Sequence, residues 1–262
     1  MQLSVPPFKF GSTVVLAYPD TTRLAGYRAA LGLWGSLAGN TGGSEIVRGS
    51  FNTTPEEIVQ PGVSALSTES DKEATEVPVV FGTAAAASDL TFCFVSGLPS
   101  QELIPSLVGE LVDLFEANGV SRVVAPAAVN LSNIRDSDRL WVHVSTSPKG
   151  GVQTALPGGA QTNDAFLSAL DNIASVSGIS EASLLVHGDK RPSGSGYRQN
   201  VVFGSEYVDE SDSRVVWALA ESLATAVGIK DAIEQQQQQQ QVEATRIRID
   251  AELATRSLAT FS

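Results

Sequence analysis

The sequence predicts an α/β fold with a mostly parallel central sheet flanked by helices. Its clearest signal is the stretch from Leu90 to Leu131, where two apolar runs flank an amphipathic segment. The first run, 90–95, stops at a Gly-Leu-Pro turn, and the second resumes after Gly119. Short apolar runs are typical of strands buried on both faces. Strand, helix and strand within about forty residues is the length of a right-handed parallel crossover.

The same signals recur on both sides of that unit. Helices are indicated by apolar residues spaced three and four apart, with Gly119, Gly178 and Gly228 at or near their ends. The predicted helices cover 21–37, 101–118, 164–176 and a region that begins near Asp212. The predicted strands cover 12–18, 90–95, 120–129, 140–145, 183–187 and 200–208, with an edge strand beginning at 79–82.

The chain is predicted to form one α/β domain over 1–228, followed by an extension. Residues 50–78 contain three prolines, few aromatics and many acids and hydroxyls, so we expect a long, partly disordered loop there. Seven consecutive glutamines, 235–241, lie in the 229–262 extension, whose apolar residues are too sparse for a strong heptad seam. We expect this Gln-rich C-terminal extension to be partly helical or disordered.

Composition excludes several function classes. Seventeen Lys plus Arg against 29 Asp plus Glu give a net charge of −12, which disfavours nucleic acid and anionic membrane surfaces as partners and favours a basic protein surface. The single cysteine, Cys93, rules out an intramolecular disulfide framework and fits a reducing compartment. Residues 1–10 show no leader pattern, and no run approaches the roughly 20 apolar residues that span a bilayer. We expect a cytoplasmic or nuclear location.

Candidate chemistry is sparse. No residue is predicted to be catalytic or to bind a metal or cofactor, because nucleophile, metal-ligand and phosphate-loop patterns are absent. The best candidates for an enzyme are His143 and His187, in or at the end of apolar strand runs, together with Asp189. Strand ends are where α/β folds often place site residues. A hydrolase or phosphorylase-like enzyme is therefore the alternative to a binding protein.

One aromatic residue is a candidate for partner binding. Trp217 lies about two residues off the apolar stripe that Val215 and Leu219 define in the last predicted helix. Such a position leaves two interpretations open, exposure to a partner and burial in the core.

Two segments resemble the proteasome assembly chaperone family. In residues 90–131 the passage Asn118-Gly119-Val120-Ser121-Arg122-Val123-Val124 is similar to the family's transition from helix to strand. Residues 198–227, a strand, an acidic turn and a helix, resemble the closing strand and helix of its smaller members. The resemblance implies a non-enzymatic chaperone that works as a heterodimer with a second assembly chaperone and binds α subunits of the 20S core particle.

The resemblance also implies a role for the C-terminus. Larger members of the family dock a tail that ends in a hydrophobic residue, a tyrosine and any residue into pockets between α subunits. This chain ends in Thr260, Phe261 and Ser262, with an aromatic at the penultimate position but Thr at the apolar one and Phe in place of Tyr. These three residues and Trp217 form the predicted partner-binding set, with a frayed terminus as the alternative for the tail.

Overall fold

The structure, a computed structural model, describes residues 3–20, 24–38, 45–52, 58–60, 76–133, 142–146, 156, 160–188 and 210–229. Within these residues, the helices are α1 (Ala25–Ala38), α2 (Ile104–Ala117), α3 (Ala165–Val176) and α4 (Glu210–Ala226). The strands are β1 (Leu3–Ser4), β2 (Thr13–Ala17), β3 (Ile46–Asn52), β4 (Ile58–Gln60), β5 (Glu76–Thr83), β6 (Leu90–Val95), β7 (Leu98–Pro99), β8 (Arg122–Val129), β9 (Leu131–Ser132), β10 (His143–Thr146), β11 (Gln161–Thr162) and β12 (Ser180–His187).

Eight of the described strands form a central sheet in the order β1-β3-β5-β6-β2-β8-β12-β10. The middle strands β6, β2, β8 and β12 are parallel neighbours. Strands β1, β3 and β5 continue the sheet on one side in antiparallel pairing, and β10 does so on the other. The predicted α/β fold, with a parallel central sheet flanked by helices, is confirmed.

The unit predicted from residues 90–131 is present as β6, α2 and β8. Its two strands are parallel, but β2 lies between them and pairs with both. The crossover therefore spans one intervening strand, which the local pattern does not indicate.

Helices cover both faces of the sheet. On the α2–α3 face, apolar residues of α2 and α3 join Val14, Leu16 and Val123 in one buried cluster. On the opposite, α1–α4 face, the rings of Tyr27 and Trp34 from α1 contact Phe94, and α4 packs against α1. Burial from both sides explains why β6 and β8 consist almost entirely of apolar residues, whereas β12 also buries Glu181 and Ser183.

The loop predicted for residues 50–78 is shorter than expected at both ends. β3 extends to Asn52, and β5 begins at Glu76, with Phe51 opposite Val77 in the register. Pro78 is exposed whereas its neighbours in the strand are buried, so the alternation is that of a strand despite the proline. The edge strand predicted at 79–82 is wrong as an edge, because β5 lies between β3 and β6.

Several predicted elements fall outside the described residues. The residues described before Gly228 belong to one compact unit. The predicted strand at 200–208 and nearly all of the 229–262 extension lie outside the described ranges. Their form therefore stays a prediction.

Candidate functional site

The carboxyl end of β2 is the place in this sheet where a ligand site is expected. From β2 the chain leads to α1 on one face, whereas its parallel neighbours β6 and β8 lead to α2 and α3 on the other. In open α/β sheets, ligands bind in the crevice at such a change of face. We therefore ask whether the polar side chains at this edge are free to bind or react with a ligand.

Asp20 closes the crevice between β2 and β8. The two strands pair only as far as Val15 and Val124, and beyond that point the buried Asp20 carboxylate stands between them. It accepts the backbone N–H of Gly26 in the first turn of α1, at 2.7 Å, and that of Ala128 in β8, at 2.9 Å. A carboxylate engaged in this way joins the helix to the sheet and is not available as a general base.

Gly26 brings α1 into direct backbone contact with β8. A Cβ atom added at Gly26 would lie 2.0 Å from the carbonyl oxygen of Pro126. Only glycine permits so close an approach. Helix and strand therefore leave no space for a ligand at this point of the edge.

A second polar cluster lies at the start of α3. Asp164 is buried, and its Oδ1 accepts the N–H of Leu167 at 2.9 Å, so it caps the helix. The Tyr18 ring stacks on Phe166 with ring centroids 4.2 Å apart, and its hydroxyl faces the Asp164 carboxyl without reaching hydrogen-bond geometry.

Burial shifts the titratable groups of this second cluster toward their neutral forms. It raises the pKa of Tyr18 well above its usual value, and the nearby Asp164 and Asp20 carboxylates raise it further. Burial also raises the pKa of Asp164, against the lowering effect of the hydrogen bond from Leu167. A phenol that resists ionisation is a poor base and a poor nucleophile, so the cluster is suited to packing and capping.

The structure brings the two histidines to the same end and face of the sheet. His143 pairs with Leu185, two residues before His187, so both side chains lie on the α2–α3 face. His187 Nδ1 accepts the N–H of Leu131 at 3.2 Å, which assigns the proton of the neutral ring to Nε2. Asp189, the third residue of the alternative enzyme site, lies outside the described residues.

Trp217 lies on the solvent side of α4. Its side chain is 68% exposed, in a stripe with Arg214 one turn earlier and Glu221 one turn later. Leu219 and Leu223 on the opposite side of the helix are buried. Of the two interpretations left by the sequence, burial in the core is therefore wrong. An exposed indole is a frequent anchor in protein interfaces.

The remaining members of the predicted partner-binding set, Thr260, Phe261 and Ser262, lie outside the described residues. Their role stays a prediction. Among the described residues, no group of three His, Cys, Asp or Glu side chains has an arrangement that could hold a metal ion. None of the described helices has both the length and the apolar character of a membrane span.

Three buried acids were missed at the level of sequence. Asp164 had a readable signal, because an aspartate directly before an apolar helix is a typical N-cap. Glu181 had a weaker one, as a lone acid beside an apolar run. Asp20 had none, because one of the two N–H groups that it binds is 108 residues away in the chain.

These features define a class of protein by its fold alone. It is an α/β protein whose sheet has four parallel central strands and antiparallel strands, β1, β3 and β5, on one side. PbaA from Pyrococcus furiosus, described as an archaeal homolog of proteasome-assembly chaperone, has this fold: TM-score 0.54, 14% identity, 95% of this chain and 96% of that chain. A PAC2 family protein from Streptomyces avermitilis matches with TM-score 0.50 and 14% identity over 89% of this chain and 94% of that one.

A protein of unknown function from Mycobacterium tuberculosis matches with TM-score 0.52 and 13% identity over 97% of this chain and 87% of that chain. No family model and no curated protein matches the sequence. The resemblance to proteasome assembly chaperones is thus confirmed at the level of the fold.

Proposed function

We propose that this protein is a proteasome assembly chaperone that acts by binding and carries out no catalytic step. The observation that carries the proposal is the fold shared with PbaA over nearly the whole length of both chains. The carboxyl edge of the sheet supports it, because Asp20 and His187 are engaged by backbone N–H groups where an enzyme of this architecture would place free side chains.

The proposed partners are α subunits of the 20S core particle during assembly of the α ring, bound together with a second, related chaperone in the cytoplasm or nucleus. Trp217 supplies an exposed aromatic anchor. The net charge of −12 favours a basic partner surface. The tail residues Thr260, Phe261 and Ser262 supply a second contact in this proposal.

Co-purification tests the proposal. The tagged chain is expressed in its native host and isolated at low salt, which preserves charge-dependent complexes. We expect proteasome α subunits and a second small chaperone in the eluate. A preparation that retains weak complexes but lacks every α subunit would contradict the proposal.

Two substitutions sharpen the same experiment. Trp217→Ala removes the exposed anchor on α4, and Val176→Ala removes another exposed apolar side chain, 81% exposed, at the end of α3. We expect Trp217→Ala to reduce recovery of α subunits about tenfold or more, as for a central anchor residue. Val176→Ala should leave recovery unchanged. Equal recovery with both variants would remove Trp217 from the contact.

The convergence of His143 and His187 favours one alternative, a hydrolase or phosphorylase-like enzyme. This alternative requires turnover of a small ester or nucleoside by the purified protein, and loss of that turnover in His187→Ala. Turnover that persists in His187→Ala would exclude His187 as the base.

A further inference from the structure

An acidic side chain is buried where α3 covers the sheet. Glu181 lies in β12, is only 2% exposed, and accepts a hydrogen bond from the hydroxyl of Ser183. Alternation along the strand places both side chains on the α2–α3 face, together with Leu185 of the apolar cluster. A carboxyl group in such a place costs free energy when it is charged, unless a cation or several donors compensate it.

The helices packed on this face bring negative charge toward Glu181. Asp171 of α3 is close enough for its charge to act on the Glu181 carboxyl. From α2, Glu116 is the acid nearest the start of β12, and its Oε1 accepts the N–H of Gly178 at 2.6 Å. Neither described helix on this face offers a basic side chain to Glu181.

The described residues of the neighbouring strands do not compensate the charge either. In the register, Val123 of β8 is opposite Glu181. Arg122 points to the other face, where its Nη1 donates to the carbonyl oxygen of Ala226 in α4 at 2.9 Å. On β10, Ser145 is opposite Ser183, and His143 is opposite Leu185, four residues beyond Glu181. Within the described residues, the acid therefore has one hydroxyl partner and no cation.

We propose that protonation of Glu181 controls how firmly α3 is held against β12. The neutral acid fits beneath the helix with its bond from Ser183. The carboxylate places in the apolar interface a charge that no described residue compensates, and the charge of Asp171 acts against it. Ionisation therefore favours states in which α3 has lifted from the sheet and water reaches Glu181.

The direction of the pH dependence follows from burial. Burial raises the pKa of Glu181 from 4.5 to about 7, the hydrogen bond from Ser183 lowers it in part, and the charge of Asp171 raises it. In the opened state the carboxyl is solvated and has its usual pKa. Between these two values the closed state binds more protons than the opened state, so closure weakens as pH rises from 4.5 to about 7 and then changes little.

Amide hydrogen exchange on the intact chain measures this opening helix by helix. We compare the opening equilibrium of the Leu167 and Leu170 amides in α3 at pH 5 and pH 7.5, after correction for intrinsic exchange. The linkage predicts a roughly ten- to fiftyfold increase in opening across that range. Glu181→Gln keeps the shape of the side chain and cannot ionise, so most of the increase should disappear.

Two controls isolate Glu181. Asp113→Asn removes an exposed carboxylate from α2 and should keep the full increase. Asp164 caps α3, and its own raised pKa also makes α3 open more as pH rises. This contribution is present in every variant, so the difference in pH dependence between wild type and Glu181→Gln is due to Glu181. The same pH dependence in wild type and Glu181→Gln overturns the proposal.

A carboxyl ¹³C titration tests the proposal without any substitution. The Glu181 carboxyl resonance should titrate with a midpoint well above 4.5, near 7. A midpoint at the ordinary value for glutamate overturns the proposal, whatever the variants do.

Discussion

Helices α1 and α3 lie on opposite faces of the sheet, and each begins beside a buried aspartate. Asp20 accepts a backbone N–H of α1, and Asp164 accepts one of α3. Asp20 accepts N–H groups from both the helix and β8, so it ties two parts of the chain together. The described N–H bond to Asp164 comes from its own helix, at Leu167, and α3 covers the buried acid Glu181.

This difference predicts how each helix responds to a change of pH. The hold on α1 rests on the close backbone contact at Gly26 and on two backbone N–H bonds to the Asp20 carboxylate. The hold on α3 rests in part on carboxyl groups whose pKa values burial has raised, so it depends on pH. The attachment of α1 therefore depends chiefly on a backbone contact, and that of α3 depends also on the protonation of buried carboxyl groups.

The largest expected effect comes from the contact between α1 and β8. Gly26→Ala places a Cβ 2.0 Å from the Pro126 carbonyl oxygen, so helix and strand must separate. We expect a loss of at least about 3 kcal/mol in the free energy of unfolding, measured by urea denaturation. Gly32→Ala, in the same helix with open space around it, should instead stabilise by about 0.5–1 kcal/mol. Equal effects would show that the close approach does not hold α1.

Removal of the Asp20 carboxylate comes next. Asp20→Ala leaves the N–H groups of Gly26 and Ala128 buried without this acceptor, which should cost about 2–4 kcal/mol in denaturant unfolding. The exposed Asp113 provides the matched control, since Asp113→Ala should change stability by about 0.5 kcal/mol or less. A small loss with Asp20→Ala would mean that other groups hold α1.

The corresponding change on the other face should cost less. Asp164→Ala removes an N-cap from α3 and should lower stability by about 1 kcal/mol, because the lost bond serves the helix alone. Asp164→Ser retains a capping oxygen without a titrating group and should recover most of that loss. If Asp164→Ala costs as much as Asp20→Ala, the contrast between the two helices is wrong.

The smallest effect on stability is expected at the exposed side of α4. Trp217→Ala should change the free energy of unfolding by about 0.5 kcal/mol or less, since the side chain is 68% exposed. Its effect should appear in partner recovery instead. A large loss of stability would assign Trp217 to packing and remove it as a contact residue.

The sequence predicts the elements of the parallel centre well, because hydrophobic period distinguishes helix from strand there. The β6, α2 and β8 elements appear within a few residues of their predicted limits. The insertion of β2 between β6 and β8 was not predictable, because strand order depends on contacts between distant segments. Strand β3 was not predicted, because Arg48, Gly49 and Ser50 interrupt its apolar residues. The start of β5 was missed because Glu76 and Pro78 conceal the strand pattern there.

The candidate site was predictable only in part. The spacing of Trp217 relative to Val215 and Leu219 made exposure one of two possible interpretations, and the structure selects it. The function of Asp20 as a tie between α1 and β8 required the fold, because its partners are remote in the sequence. The sequence places the histidines in or at the end of strand runs, and in the structure His143 begins β10 and His187 ends β12. The backbone bond to His187 has no sequence signal.

Direct binding of proteasome α subunits is the central claim, and native mass spectrometry of purified components tests it most directly. The chain is mixed with isolated α subunits of the 20S core particle, with and without a second assembly chaperone. We predict a discrete complex that contains this chain and at least one α subunit. A chain that remains free of every α subunit under both conditions would contradict the account.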